Sequence, residues 1–279
     1  MKFDMSIVRT AYLSDERYAE VQDEQNETYF KSGLKIFQDH NGFRKGEVHT
    51  FVGTKGCGKS TWAKTLIAEI AWQEKGTLLY ISEENVDKYV CALNKMFRTN
   101  KSTNANAQRY LDTIVTLSEM DISISDGESF FAMIEKVIDA CKLEILIFDN
   151  FTTAFLSELH ISEQSRILRR FKEVADKKNI PIVIFFHTSK NVDPRKLDGD
   201  GVKGSGTAIN IGSYNYVIYQ HKDTSSIRNF IHTEKARYHN KANKKVYEVM
   251  YNYDQGTFTS CKQISMQDYK EIVTEKTKW

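Results

Sequence analysis

Proline and cysteine are both scarce in this chain of 279 residues. The two prolines, Pro181 and Pro194, leave long stretches free to run as uninterrupted helix and strand, and Pro181 stands at the start of a strand-like run, where proline is tolerated. The four cysteines, Cys57, Cys91, Cys141 and Cys261, are widely spaced and form no C-x-x-C pair. That excludes a disulfide framework or a paired-cysteine zinc site and points to reduced thiols. No apolar run is long enough to cross a bilayer and no secretory leader is visible, so the expectation is a soluble protein of the cytoplasm with no membrane partner. The net charge of +2 does not by itself mark a nucleic-acid binder, so any basic surface must be local. Internal repeats and low-complexity tracts are absent as well.

What is present is an alternation. Residues 1–30 are polar and rich in Asp, Glu, Gln and Tyr, which reads as an arm or linker outside the core. From residue 31 strand-like runs at 47–52, 77–81, 121–125, 143–148 and 181–186 alternate with helical patterns at 60–74, 86–98, 128–141 and 162–178. Such alternation predicts an α/β fold, a mainly parallel sheet with helices on both faces. Residues 188–206 then carry Gly, Asp, Lys and Arg with almost no apolar residue, a length of loop that is usually functional or disordered. Three further β segments, YNYVIYQH, IRNFIHTEKARY and KKVYEVMYNYD, predict an antiparallel extension of the sheet, and 263–279 reads as a polar, helical tail after a main domain of 31–262.

The most specific feature is GTKGCGKS, from Gly53 to Ser60. It fits the phosphate-binding pattern G-x-x-x-x-G-K-[ST] at every fixed position. An alternating apolar run, EVHTFVG, leads into it and a helical run, STWAKTLIAEIAW, leads away. Glycines at 53, 56 and 58 let backbone N–H groups close around phosphate oxygens, and the helix N-terminus adds its partial positive charge. Gly53, Thr54, Lys55, Gly56, Cys57, Gly58, Lys59, Ser60 and Thr61 are therefore expected to hold ATP or another NTP or dNTP. Lys59 would reach the β- and γ-phosphates and Ser60 would ligate Mg²⁺. Cys57 inside the loop reads as a small filler.

Two acidic positions and one histidine complete a candidate site. Asp149 ends the apolar strand LEILIFD, where phosphate-loop enzymes keep the carboxylate of the Mg²⁺ shell. Glu83 and Glu84 follow LLYIS at the C-terminal end of another strand, facing the crevice where α/β ligands bind, and Glu83 is the preferred base for an attacking water. His187 ends IPIVIFFH. A lone histidine there is ordinarily a satisfied polar residue at the edge of the core; it can also sense the γ-phosphate and pass that state to the loop that follows.

Taken in order, these residues resemble the RecA-type motor domain of hexameric replicative helicases. The similarity is nearest to the helicase half of the T-odd phage helicase–primase and its mitochondrial relative Twinkle, with bacterial DnaB helicases further away. It runs from Ser32 to Thr259: SGLKIFQDHNGFRKGEVHTFVGTKGCGKST, EILIFDN, ISEQSRILRRFKEVADKKNIPIVIFFH, KGSGTAINIGSYNYVIYQ, EKARYHNK and VMYNYDQGTF each resemble a stretch of the family, in the family's order. The resemblance implies a RecA-like core, Glu83 as catalytic carboxylate and His187 as phosphate sensor. It implies further that Arg237, with Lys235 as companion cation, is an arginine finger reaching a neighbouring subunit's nucleotide. Tyr251 would stack on the base, with His221 opposite it where an arginine is usual. The loop 188–206 would be a channel loop whose Lys190, Arg195, Lys196, Lys203, Gly204, Ser205 and Gly206 contact single-stranded DNA, although its aspartates also suit an ordinary solvated loop. Expected partners are other copies of the chain in a hexamer, single-stranded DNA, and a separate primase, polymerase or loader; the lack of a primase module before the motor and of the acidic tail through which some phage helicases engage a polymerase weighs against direct replisome assembly.

Overall fold

The computed structural model describes Glu16 and residues 32–39, 42–82, 84–99, 104–118, 127–155, 161–188, 211–222, 226–238 and 244–274. The rest of the N-terminal arm, the run 121–125 and the loop from 189 to 210 lie outside the described residues.

A nine-stranded sheet carries the fold, in the order β3-β2-β4-β5-β1-β6-β7-β8-β9. Strands β1 (Val48–Gly53), β2 (Thr77–Ile81), β3 (Ile114–Ser118), β4 (Ile145–Asp149), β5 (Ile182–His187) and β6 (Tyr214–Lys222) run parallel. The remaining β7 (Ile227–Ala236), β8 (Lys245–Asn252) and β9 (Thr257–Ile264) extend the sheet antiparallel from β6. Strands β1, β2 and β4 are buried at every residue, and β5 at all but His187. Near-continuous apolar runs of this kind have no solvent face, so the sheet must be covered on both sides.

On one face lie α1 (Lys35–Gln38), α2 (Lys59–Ala71), α3 (Val86–Thr99) and α4 (Asn104–Leu111), with Trp62, Leu66, Ile70, Tyr89 and Phe97 packed on Phe51, Leu79, Ile147 and Phe185. On the other, α5 (Gly127–Cys141) and α7 (Ile161–Lys178) bring Phe130, Phe131 and Phe171 against Tyr80, Phe148 and Ile184. Each such buried large side chain stabilises the fold by about 1.5–3 kcal/mol. Short α6 (Phe151–Phe155) follows β4, and α8 (Met266–Thr274) seats Tyr269 against Phe230, ring centroids 5.1 Å apart, closing a third cluster over β6–β8. The mixed α/β fold expected from the alternation is therefore the one observed.

Two elements differ from the sequence expectation. The edge strand of the parallel sheet is Ile114–Ser118, which was not expected; it is half-buried along most of its length, so its apolar signal is weak, and the strand expected at 121–125 lies outside the described residues. The antiparallel extension has four strands, β6 included, where three segments were expected, because Asn252 and Gly256 turn the chain back into β9. The Asn252 side chain accepts from Asp254 N–H and Gln255 N–H, and Gly256 takes φ +70°. Among the described residues no helix is long and apolar enough to cross a membrane.

Candidate active site

Strand β1 lies between β5 and β6, the point where the chain's winding reverses, and α/β ligands bind in the crevice at the strand ends there. The loop between β1 and α2 occupies that place. Gly53 is irreplaceable on space alone: a Cβ there would stand 2.5 Å from Cys57 Sγ and 2.9 Å from the Ile218 carbonyl oxygen. Gly56 and Gly58 take φ +78° and +92°, conformations that side chains rarely adopt. Gly58 caps α2 without any side-chain hydrogen bond, so the first N–H groups of the helix point into the loop. Buried Lys59 donates from Nζ to the carbonyls of Gly53 and Thr54, at 3.1 and 2.8 Å, which centres its ammonium inside the loop. Cys57 is buried against Gly53, and burial pushes its thiol pKa up, so it fills space and does not act as a thiolate.

The loop opens onto a cleft of about 400 Å³ lined by Lys55, Gly56, Gly58, Lys59, Ser60, Thr61, Lys64, Glu84, Asp149, Asn150 and His187. Asp149 is 5% exposed, and that burial pushes its carboxyl up to about 6. The Ser60 hydroxyl and the charges of Lys59 and Lys64 oppose the shift, while Glu84 adds to it. Ser60 and Asp149 thus face one another as two side-chain oxygens at the mouth of the loop. Among the described residues no group of three His, Cys, Asp or Glu could hold a metal ion. A cation that takes one or two protein oxygens and completes its shell with phosphate and water fits this set, and that is the habit of Mg²⁺.

The ends of β2, β4 and β5 are tied together around the cleft. The Ser82 hydroxyl donates to the Asn150 carbonyl at 2.7 Å and accepts from Asn150 N–H at 3.0 Å, and Ser82 N–H donates to the Asp149 carbonyl. Asn150 Nδ2 lies 3.1 Å from His187 Nε2, and His187 N–H donates to the Thr152 hydroxyl. Next along, Thr188 N–H donates to the Gly53 carbonyl, so the exit of β5 is bonded to the start of the phosphate loop. Glu83 lies outside the described residues; its chain neighbours Ser82 and Glu84 both stand at the cleft, Glu84 3.5 Å from Lys64.

The other expected site residues fall into three groups. Tyr251 packs on Phe258, whose ring lies 3.6 Å from the Cβ position of Gly58, so the β8–β9 hairpin brings Tyr251 beside the phosphate loop. His221 is not opposite it. His221 pairs with Arg228, which stacks over Phe230 in the cluster beneath α8, whereas Tyr251 belongs to the face that carries α2. The strict two-residue alternation along β6 from Ile218 forces this, and counting it in the sequence would have revealed it. Tyr251→Ala is accordingly expected to raise KM for ATP several-fold while His221→Ala leaves it unchanged; equal effects in steady-state assays would refute this placement. Lys190, Arg195, Lys196, Lys203, Gly204, Ser205 and Gly206 lie outside the described residues.

Lys235 and Arg237 form the third group, at the far end of the sheet. Lys235 Nζ donates to the Gly212 carbonyl at 2.8 Å and Arg237 N–H to the Ser213 carbonyl at 2.9 Å, beside Tyr214 and His49 at the start of β1. Partial burial, and then the nearby Arg237 charge, lower the Lys235 pKa. At about 3.3 Å per residue, β1 separates these cations from their own phosphate loop by roughly 15 Å.

Residues not singled out from sequence also shape the site. Tyr89, fully buried on α3, directs its hydroxyl to Asp149 Oδ2 at 3.4 Å, and Lys64 stands 4.3 Å over its ring. Both contacts join positions far apart in the chain, and only the strand-end position of Asn150 was open to a sequence argument.

Fold and cleft together define a RecA-type phosphate-loop ATPase. The family model described as AAA domain matches residues 39–193, more than half of the chain, and the chain belongs to that family. Among solved structures it is similar to a KaiC-like protein from the hyperthermophilic archaeon Pyrococcus horikoshii, with a TM-score of 0.63, 14% identity, and 84% of this chain and 98% of that chain covered. No curated protein matches it.

Proposed function

We propose that this ATPase is a ring-forming motor that hydrolyses ATP between subunits to move on single-stranded DNA and unwind the duplex ahead of it during replication. The observation that carries the reading is the separation of Lys235 and Arg237 from their own phosphate loop. Cations spaced like the finger of the helicases the sequence resembles, and too far to serve their own nucleotide, are suited to a neighbour's; head-to-tail contacts of that kind close into a ring when the rotation between subunits closes. Gly53–Thr61 cradle the triphosphate, Lys59 neutralises its β- and γ-oxygens, and Ser60 with Asp149 would hold Mg²⁺. The chemistry such a cation would supply there is charge neutralisation at the phosphates. Glu83 would take the proton of the attacking water, and Arg237 of the adjacent subunit would stabilise the transferring phosphoryl group. His187, between Asn150 and the phosphate-loop strand, would report the γ-phosphate to the loop 188–206 that starts at the next residue.

Single-stranded DNA is expected to stimulate hydrolysis at least several-fold, and the protein is expected to separate a forked duplex when ATP and Mg²⁺ are present. A second reading with the same fold is a RecA- or KaiC-like DNA-stimulated ATPase that acts as a recombination mediator or regulator and does not unwind. Stimulated hydrolysis without strand separation would select it, and hydrolysis indifferent to DNA would refute the motor.

A further inference from the structure

We propose that Glu47 is the positioning residue of the intersubunit site, clamping Arg237 for presentation to the neighbouring nucleotide. This rests on the reading of Arg237 as a finger acting in trans. Glu47 immediately precedes β1, and its side chain is 13% exposed. Its Oε1 accepts from the Tyr238 hydroxyl at 2.8 Å, and the Arg237 guanidinium lies close enough to that phenol for its charge to act on it. Its Oε2 accepts from the Ser213 hydroxyl and from Lys172 Nζ, the latter at 3.1 Å. Ser213 is the residue whose carbonyl takes the Arg237 N–H, at 2.9 Å. One carboxylate therefore secures both supports of Arg237, the phenol beside its guanidinium and the backbone beneath its amide.

The surroundings suit that task. Burial alone would raise the Glu47 pKa, but the Ser213, Lys172 and Tyr238 hydrogen bonds outweigh it and hold the carboxyl below its ordinary range, so it is an anion. Its charge also favours the protonated form of Lys235. Arg44 stacks over the Tyr238 ring, its guanidinium carbon 4.6 Å from the ring centroid, which gives that ring a second contact. Lys172 belongs to α7, so the clamp is anchored in the helical layer as well as the sheet. Lys172 and Lys235 both feel this carboxylate, which offsets their charges. A finger that needs correct placement at a transition state loses rate steeply when its support loosens, because small displacements at a reacting centre are costly.

The test pairs two substitutions with subunit mixing. Glu47→Gln and Tyr238→Phe are each expected to lower kcat for ATP, by roughly 10- to 100-fold for the first and less for the second, with nucleotide affinity measured by fluorescent-analogue binding unchanged. Tyr238 is 42% exposed, so its substitution keeps the question answerable if Glu47→Gln misfolds. Each variant is then mixed with Lys59→Ala subunits, which lack a working phosphate loop but carry an intact clamp. Turnover per variant subunit is expected to rise on mixing, as it should for Arg237→Ala run alongside. If Arg237→Ala is rescued but the clamp variants keep wild-type kcat, or lose it and are not rescued, the role of Glu47 is overturned and the trans finger stands. If Arg237→Ala itself is not rescued, both are overturned.

Discussion

Arg237→Ala is expected to lower ATP turnover by roughly a thousandfold or more, the scale set by arginine fingers in other phosphoryl-transfer enzymes. ATP affinity should stay within a factor of two. The side chain is exposed, and its backbone bond to Ser213 survives the substitution, so the effect on stability should be within about 0.5 kcal/mol. Among the described residues nothing brings Arg237 near its own phosphate loop, since β1 stands between them. The loss should therefore appear only in the assembled protein, and dilution of the wild type below its assembly concentration should reproduce it. Full turnover in the Arg237→Ala protein would remove the intersubunit site from consideration.

Asp149→Asn should do two opposite things. Hydrolysis dependent on Mg²⁺ is expected to fall at least a hundredfold, because a developing charge loses a preorganised partner and the cation loses an anionic ligand. Free of nucleotide and in chelator, however, the same protein should be more stable than the wild type. Burial moves the Asp149 carboxyl from its ordinary 3.8 up to about 6, so ionising it in the folded state costs about 3 kcal/mol. Below about pH 4 both folded and unfolded chains hold the neutral acid and there is no cost. The cost builds as pH rises through about 6 and is complete at neutral pH, so stability is lost in that direction. Asparagine keeps the shape and carries no charge. A melting temperature several degrees higher at pH 7.5 is expected, at about 2–4 °C per kcal/mol, with the advantage shrinking toward pH 5. An equal or lower value at pH 7.5 would show that the carboxylate is compensated in a way the Ser60 and Lys59 contacts do not provide.

The parts of the molecule that were legible in the sequence share one property: their chemistry is contiguous. Gly53–Ser60 must follow one another to wrap a phosphate, so the pattern survives in the linear order, and the runs at 48–53, 145–149 and 182–187 are apolar throughout because they are covered on both faces. Asp149 and His187 could be placed because each ends such a run. Tyr89 and Glu47 left no trace. Their partners lie sixty or more residues away, at Asp149, Ser213 and Tyr238, and nothing about an isolated tyrosine or glutamate announces a contact over that distance. The edge strand at 114–118 was hidden for a different reason, since half of its surface stays wet and its side chains need not be apolar. His221 shows that local pattern was sometimes available and outweighed: the resemblance set it against Tyr251, while alternation along β6 puts it on the opposite face.

Strand β1 is also a ruler. Glu47 precedes one of its ends, where Ser213 N–H bonds Val48 and the two cations bond Gly212 and Ser213, and the phosphate loop grows from the other, with six β1 residues paired to β5 and five to β6. A hydrogen-bonded strand neither stretches nor compresses appreciably, so the spacing between a subunit's own nucleotide and the group it offers outward is set by residue count. An inserted or deleted residue in Val48–Gly53 would shift both ends at once and reverse every side chain between them. The tolerance for change in this segment should consequently be set by two sites rather than one, and lengthening it by a single residue should be worse for activity than any point substitution within it.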